Sequence, residues 1–84
     1  MSIDAIRQYI RVEILDDETV SIEADEDLMM NQVLDSMDVM RLVTHLEQSC
    51  GFKIPPQDVT LEHFSTLRRI DSYVTARRNG DQLV

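Results

Sequence analysis

Tryptophan is absent from the 84 residues, cysteine occurs once, and glycine and proline occur twice each. Each shortage removes a class of answer. The single Cys50 cannot close an intrachain disulfide, so the fold does not depend on oxidation. No apolar run approaches the ~20 residues of a membrane-spanning helix, and the N-terminus lacks the basic-then-apolar layout of a secretory signal. Only Gly51, Gly80, Pro55 and Pro56 interrupt the chain, which points to helices joined by a few loops. Bases are scarce too: eight against sixteen acids leave a formal charge of −8. Nucleic acid and anionic membranes are therefore disfavoured as partners. The rest, 43% apolar and 29% charged, suits a folded chain. At 9.7 kDa it makes one thin-cored domain with a radius near ~12 Å. A complete, cytoplasmic, monomeric protein is expected.

The charge is unevenly spread. Residues 13–47 hold eleven acids and one base, Arg41, whereas residues 65–84 carry four arginines against Asp71 and Asp81. A field of this kind attracts basic partners and speeds their encounter. It can equally be a solvated loop and helix face.

Hydrophobic spacing organises the chain. Ser2 can cap a first helix whose Ile3, Ile6, Ile10 and Ile14 fall on one face. That pattern stops near Leu15, where Asp16, Asp17 and Glu18 crowd the negative end of the helix dipole. From there to Leu34 no period holds, and Val20, Ile22 and Leu28 read as anchors of a long loop. A loop near twenty residues is unusual in a small domain and is often functional. The second helix carries Val39, Leu42, Val43, Leu46 and Cys50 in one stripe. Asp35 or Ser36 supplies its cap and Gly51 its stop. Phe52, Lys53 and Ile54 run extended into Pro55-Pro56. Val59, Leu61 and Phe64 suggest one short helix, and Thr66 caps a last helix bearing Leu67, Ile70, Tyr73 and Val74. The prediction is an all-α bundle of three main helices plus one short helix, filling residues 1–78, with a frayed tail over 79–84.

Little in this pattern looks like chemistry. His45 and His63 lie eighteen residues apart, without metal-ligand spacing, and read as exposed or partly packed helix residues. The acidic loop does not fit a calcium-binding helix-loop-helix. Cys50, on the apolar stripe, is expected to be a buried, inert thiol. No paired carboxylates or Ser-His-Asp grouping can be picked out, so no metal or catalytic residue is assigned. Ser36 stands apart. Met29, Met30, Met37 and Met40 cluster around it, and methionine is over-used at adaptable binding surfaces. Met37 projects opposite the apolar stripe and is poorly placed for a core role.

Leu34-Asp35-Ser36-Met37-Asp38, followed by Leu42-Val43 and Leu46-Glu47, resembles the modification motif of acyl and peptidyl carrier proteins. The likeness continues through Gly51-Phe52-Lys53-Ile54-Pro55, Asp58-Val59-Thr60-Leu61 and the Phe64 to Val74 segment. It covers about residues 3–77. The resemblance implies that Ser36, with Asp35 beside it, is the attachment site of 4′-phosphopantetheine delivered from coenzyme A by a separate magnesium-dependent transferase. The arm's thiol would then carry an acyl or aminoacyl group between a loading ligase and downstream transferases or synthases. The chain itself would be no enzyme. A serine opening a helix suits this, because a phosphodiester is favoured at the positive dipole end. Met37, Asp38, Met40, Arg41 and Glu47 are the expected partner contacts.

The family usually places a glycine three or four residues before the serine, where this chain has Val33 and Gln32. The turn into the second helix must therefore rest on a less permissive residue. Arg41 interrupts a face that is often acidic, and Cys50 replaces a bulkier aromatic. The Leu-Asp-Ser-Met wording is closer to D-alanyl and free-standing peptidyl carriers than to fatty-acid carriers. The competing reading is an unmodified acidic adaptor that binds basic proteins through the same bundle.

Overall fold

A computed structural model describes residues 2–78; Met1 and the tail expected to fray, 79–84, lie outside the described residues. Helix α1 spans Ile3–Tyr9 and opens on Ser2, whose hydroxyl accepts from the Ala5 amide at 3.1 Å. The spacing predicts one unbroken α-helix to Ile14. Instead the last stretch, Ile10–Ile14, widens into a π-turn in which Leu15 N–H donates to Ile10 C=O at 2.8 Å. Such i→i+5 turns hold about one extra residue, and apolar residues four apart fit either geometry. Ile6 and Ile10 are fully buried, whereas Ile14 is only half-buried.

Helix α2, Ser36–Cys50, buries Val39, Leu42, Val43 and Leu46. Gly51 stops it in the left-handed region at φ 77°, its amide bonded to Glu47 C=O at 3.0 Å. A single 3₁₀ turn, Pro56–Asp58, precedes the short α3, Leu61–Phe64. Helix α4 covers Leu67–Arg78, and Thr66 caps it by accepting from the Arg69 amide at 3.1 Å. Helix α4 is the central element: α1 packs along it, and α2 rests on it and on the π-turn. Fifteen buried apolar side chains make one core, and the radius of gyration is 11.9 Å. No strand occurs among the described residues. Cys50 departs from expectation: at the last position of α2 it is half-buried at the edge of the core, not enclosed.

The acidic loop is held down at many points. Ile22 and Leu28 are buried anchors, and Val20 packs partly against the core. Arg7 Nε donates to Ile22 C=O at 2.8 Å. Leu28 N–H donates to Ser65 C=O at 2.7 Å, and Arg68 N–H donates to Ala24 C=O at 3.0 Å. The Arg68 guanidinium also grips Asp25 with contacts of 2.7 and 3.3 Å, which holds that carboxyl below the usual carboxylate range. The loop is thus latched to the junction between α3 and α4.

A second tie secures the segment after α2. The Tyr73 phenol, 2% exposed, donates to Asp58 Oδ2 at 2.8 Å. Arg77 lies 3.8 Å from that oxygen, donates to Lys53 C=O at 2.7 Å and sits 5.4 Å above the Phe52 ring. Glu47 Oε2 accepts from the Ile54 amide at 2.8 Å. Burial, reinforced by the hydrogen bond to Asp58 and its negative charge, pushes the Tyr73 phenol up to about 12.

Candidate functional site

Ser36 is the first residue of α2, and Asp35 is the cap. Asp35 Oδ1 accepts from Asp38 N–H at 2.8 Å, and Asp38 Oδ2 accepts from Asp35 N–H at 3.3 Å. This reciprocal box satisfies two amides that a helix start leaves orphaned. With both carboxylates so occupied, the exposed Ser36 hydroxyl is left free of capping duty. The sequence offered a signal for this: an acid stands three residues after Asp35, whereas Val39 stands three after Ser36.

The turn leading into α2 explains how the chain manages without glycine. Asp27 Oδ1 accepts from the amides of Met29 and Met30 at 3.1 and 2.9 Å, which starts a single helical turn. That turn ends with Gln32 N–H on Met29 C=O at 3.1 Å and Val33 N–H on Leu28 C=O at 2.9 Å. The two bonds are those of a Schellman closure, whose next-to-last residue must be left-handed. Gln32 occupies that position at φ 60°. The absent glycine therefore leaves a strained glutamine and not a different turn. Gln32→Gly is expected to raise stability by about 0.5–1 kcal/mol, read as a melting temperature several degrees higher. An unchanged or lower melting temperature would contradict the strain.

Two shallow troughs flank Ser36. One, of about 420 Å³, lies between α2 and α3 and is lined by Met29, Ser36, Val39, Met40, Phe64 and the Val59-Thr60-Leu61 segment. The other, of about 430 Å³, runs along the outer face of α2 past Met37, Met40, Arg41 and Thr44. Ser36 and Met40 belong to both. Met37 is 76% exposed and Met40 55%. Asp38 and Glu47 also lie on α2, but their carboxylates bond to backbone amides. Arg41 donates to Glu13 C=O at 2.8 Å.

Both histidines are packed elsewhere. His45 stacks on Tyr9 with ring centroids 3.7 Å apart, and burial lowers its pKa. His63 lies 4.9 Å from the Tyr73 ring. Neither histidine lines the troughs beside Ser36. Among the described residues, no group of three His, Cys, Asp or Glu side chains is arranged to hold a metal ion. No helix among them is long and apolar enough to cross a membrane.

The family described as "Phosphopantetheine attachment site" matches residues 4–74. A "D-alanyl carrier protein" of Abiotrophia defectiva is 34% identical over 65 residues, which span 77% of this chain and 82% of that protein. A chain in a solved structure described as "Crystal structure of FAD-dependent dehydrogenase" superposes with a TM-score of 0.72. It is 24% identical, and the match covers 81% of this chain and 96% of that one. At that identity the likeness speaks to the fold alone.

Proposed function

The chain belongs to the phosphopantetheine attachment-site family of carrier proteins, and on that premise we propose that Ser36 bears the arm and that the domain shuttles thioesters between enzymes. The 4′-phosphopantetheine group implied by the family supplies a terminal thiol able to hold an acyl or aminoacyl group. The residues present fit its attachment. Ser36 offers an exposed hydroxyl at the positive end of a fifteen-residue helix, where a phosphodiester is electrostatically favoured. Asp35 and Asp38 fix the direction of that helix start through their reciprocal bonds. The observation that carries the assignment is the division of labour between Asp35, which caps, and Ser36, which does not.

Partners dock around the serine, with Met37 and Met40 giving the apolar contact and Asp38, Arg41 and Glu47 the polar surround. A phosphopantetheinyl transferase acts first, followed by a loading ligase and downstream transferases or synthases in the cytoplasm. D-alanine is the first cargo to try, given the name of the relative from Abiotrophia defectiva. Incubation with coenzyme A, magnesium and a broad-specificity transferase tests the proposal. Intact mass is expected to rise by one phosphopantetheine, with tandem mass spectrometry placing it on Ser36. A chain that stays unmodified would favour the acidic adaptor instead.

A further inference from the structure

Three methionines, Met29, Met37 and Met40, line the troughs that flank Ser36. Met30, Met37 and Met40 are 79%, 76% and 55% exposed, and Met29 lines the trough between α2 and α3. Met37 and Met40 stand three residues apart on α2 and share the outer trough with Ser36. The charged groups that could otherwise dominate contact on this helix are engaged within the chain. Asp38 closes the capping box, Glu47 accepts from Ile54, and Arg41 reaches the Glu13 carbonyl. On α2 itself, apolar contact beside the serine therefore falls to two solvent-facing thioethers, with Leu61 of α3, 64% exposed, across the inner trough.

We propose that Met37 and Met40 form an oxidative modification site whose state governs access of partner enzymes to Ser36; this rests on Ser36 being the attachment residue. A hydroperoxide is the oxidant. The thioether sulfur attacks one peroxide oxygen, an S–O bond forms and the O–O bond breaks. Sulfur is oxidised by two electrons, and the peroxide's remaining oxygen leaves as water or an alcohol. The sulfoxide is polar and no longer suits an apolar pocket. A thiol-dependent reductase returns the two electrons and releases the oxygen as water. Neither side chain belongs to the buried core, so oxidation changes the docking face and leaves the bundle folded. Cys50, the other soft sulfur on α2, is half-buried and lies about 21 Å along the helix from Ser36.

The test uses the unmodified chain before and after hydrogen peroxide, with peptide mapping to locate oxygen on Met37 and Met40. Initial rates of loading by coenzyme A and the transferase are then compared with those of the same chain untreated. Loss of apolar contact at two methionines is expected to lower the rate about tenfold, with an unchanged melting temperature. The Met37→Leu/Met40→Leu chain, compared only with its own untreated form, is expected to lose less than about twofold, because leucine keeps the apolar volume without the reactive sulfur. An undiminished rate in the oxidised parent, an equal loss in the leucine chain, or a lowered melting temperature would each overturn the proposal. An untreated parent that never takes up the arm would overturn this and the assignment of Ser36 together.

Discussion

Ser36→Ala is expected to take up no phosphopantetheine, with a melting temperature within a few degrees of the parent. The first half follows from chemistry, since alanine has no oxygen to accept a phosphoryl group. The second follows from the helix start. Were Ser36 the cap, its removal would cost about 0.5–2 kcal/mol. Asp35 is the cap, however, and Ser36 is already inside the helix. Alanine there is a better helix former than serine by roughly half a kcal/mol, so the change is neutral or slightly stabilising. Asp35→Ala would behave oppositely, losing the cap and half of the reciprocal box. Intact mass and a thermal melt on the same sample read both quantities. Loading that survives in Ser36→Ala would move the attachment to another serine.

Tyr73→Phe is expected to destabilise the bundle by about 1.5–3 kcal/mol, the worth of a hydrogen bond to a charged acceptor. The ring still fills its place, so packing is nearly unchanged and the loss isolates the hydroxyl. The pH dependence gives a sharper signature. Tyrosine ionises near 10 when unfolded, whereas Tyr73 is held up to about 12 in the folded protein. Between those values the native state keeps a proton that the unfolded state has lost. The stabilisation is therefore fully present below pH 10 and lost as pH rises through 12. Urea unfolding at a series of alkaline pH values should show the parent falling steeply over that window. The phenylalanine variant should fall less. Parallel curves for the two would show that the folded protein does not hold this phenol protonated.

The helices were legible in the sequence because each carries its own signals. The stripe from Val39 to Leu46, bounded by a capping residue and Gly51, describes α2 without tertiary information. Ser2 and Thr66 likewise mark the starts of α1 and α4. Ser36 stood out in the sequence because its flanks resemble a modification motif, though two capping residues in a row hid which one caps. What remained unread depends on contacts between distant residues. Tyr73 meets Asp58 fifteen positions away, and Arg68 meets Asp25 forty-three positions away; no local period reports either. The π-turn escaped because Ile10 and Ile14 are spaced for an ordinary helix.

The acidic stretch acquires a different meaning from the same contacts. By charge alone it is a field for basic partners. In the structure Asp17 caps its own turn through Thr19, Asp27 starts the turn into α2, and Asp35 and Asp38 start α2 itself. Asp25 and Glu47 hold separate segments together. Short acidic side chains substitute for regular backbone pairing where the chain has few glycines to bend on. Their charge still projects outward, but much of their placement is explained by shaping the backbone.

The latch between the acidic loop and α4 has a kinetic side. Its bonds join Leu28 to Ser65, Ala24 to Arg68 and Asp25 to Arg68, so the intervening chain must close before any of them forms. Loop closure of that length is costly in entropy and rewarded only at the end. Helices α1, α2 and α4 can gather while the loop is still loose. The turn at Gln32, closed by bonds within residues 27–33, is local and needs no such closure. The latch is thus expected to form among the last long-range contacts, with Ile22 and Leu28 joining the core only as it closes.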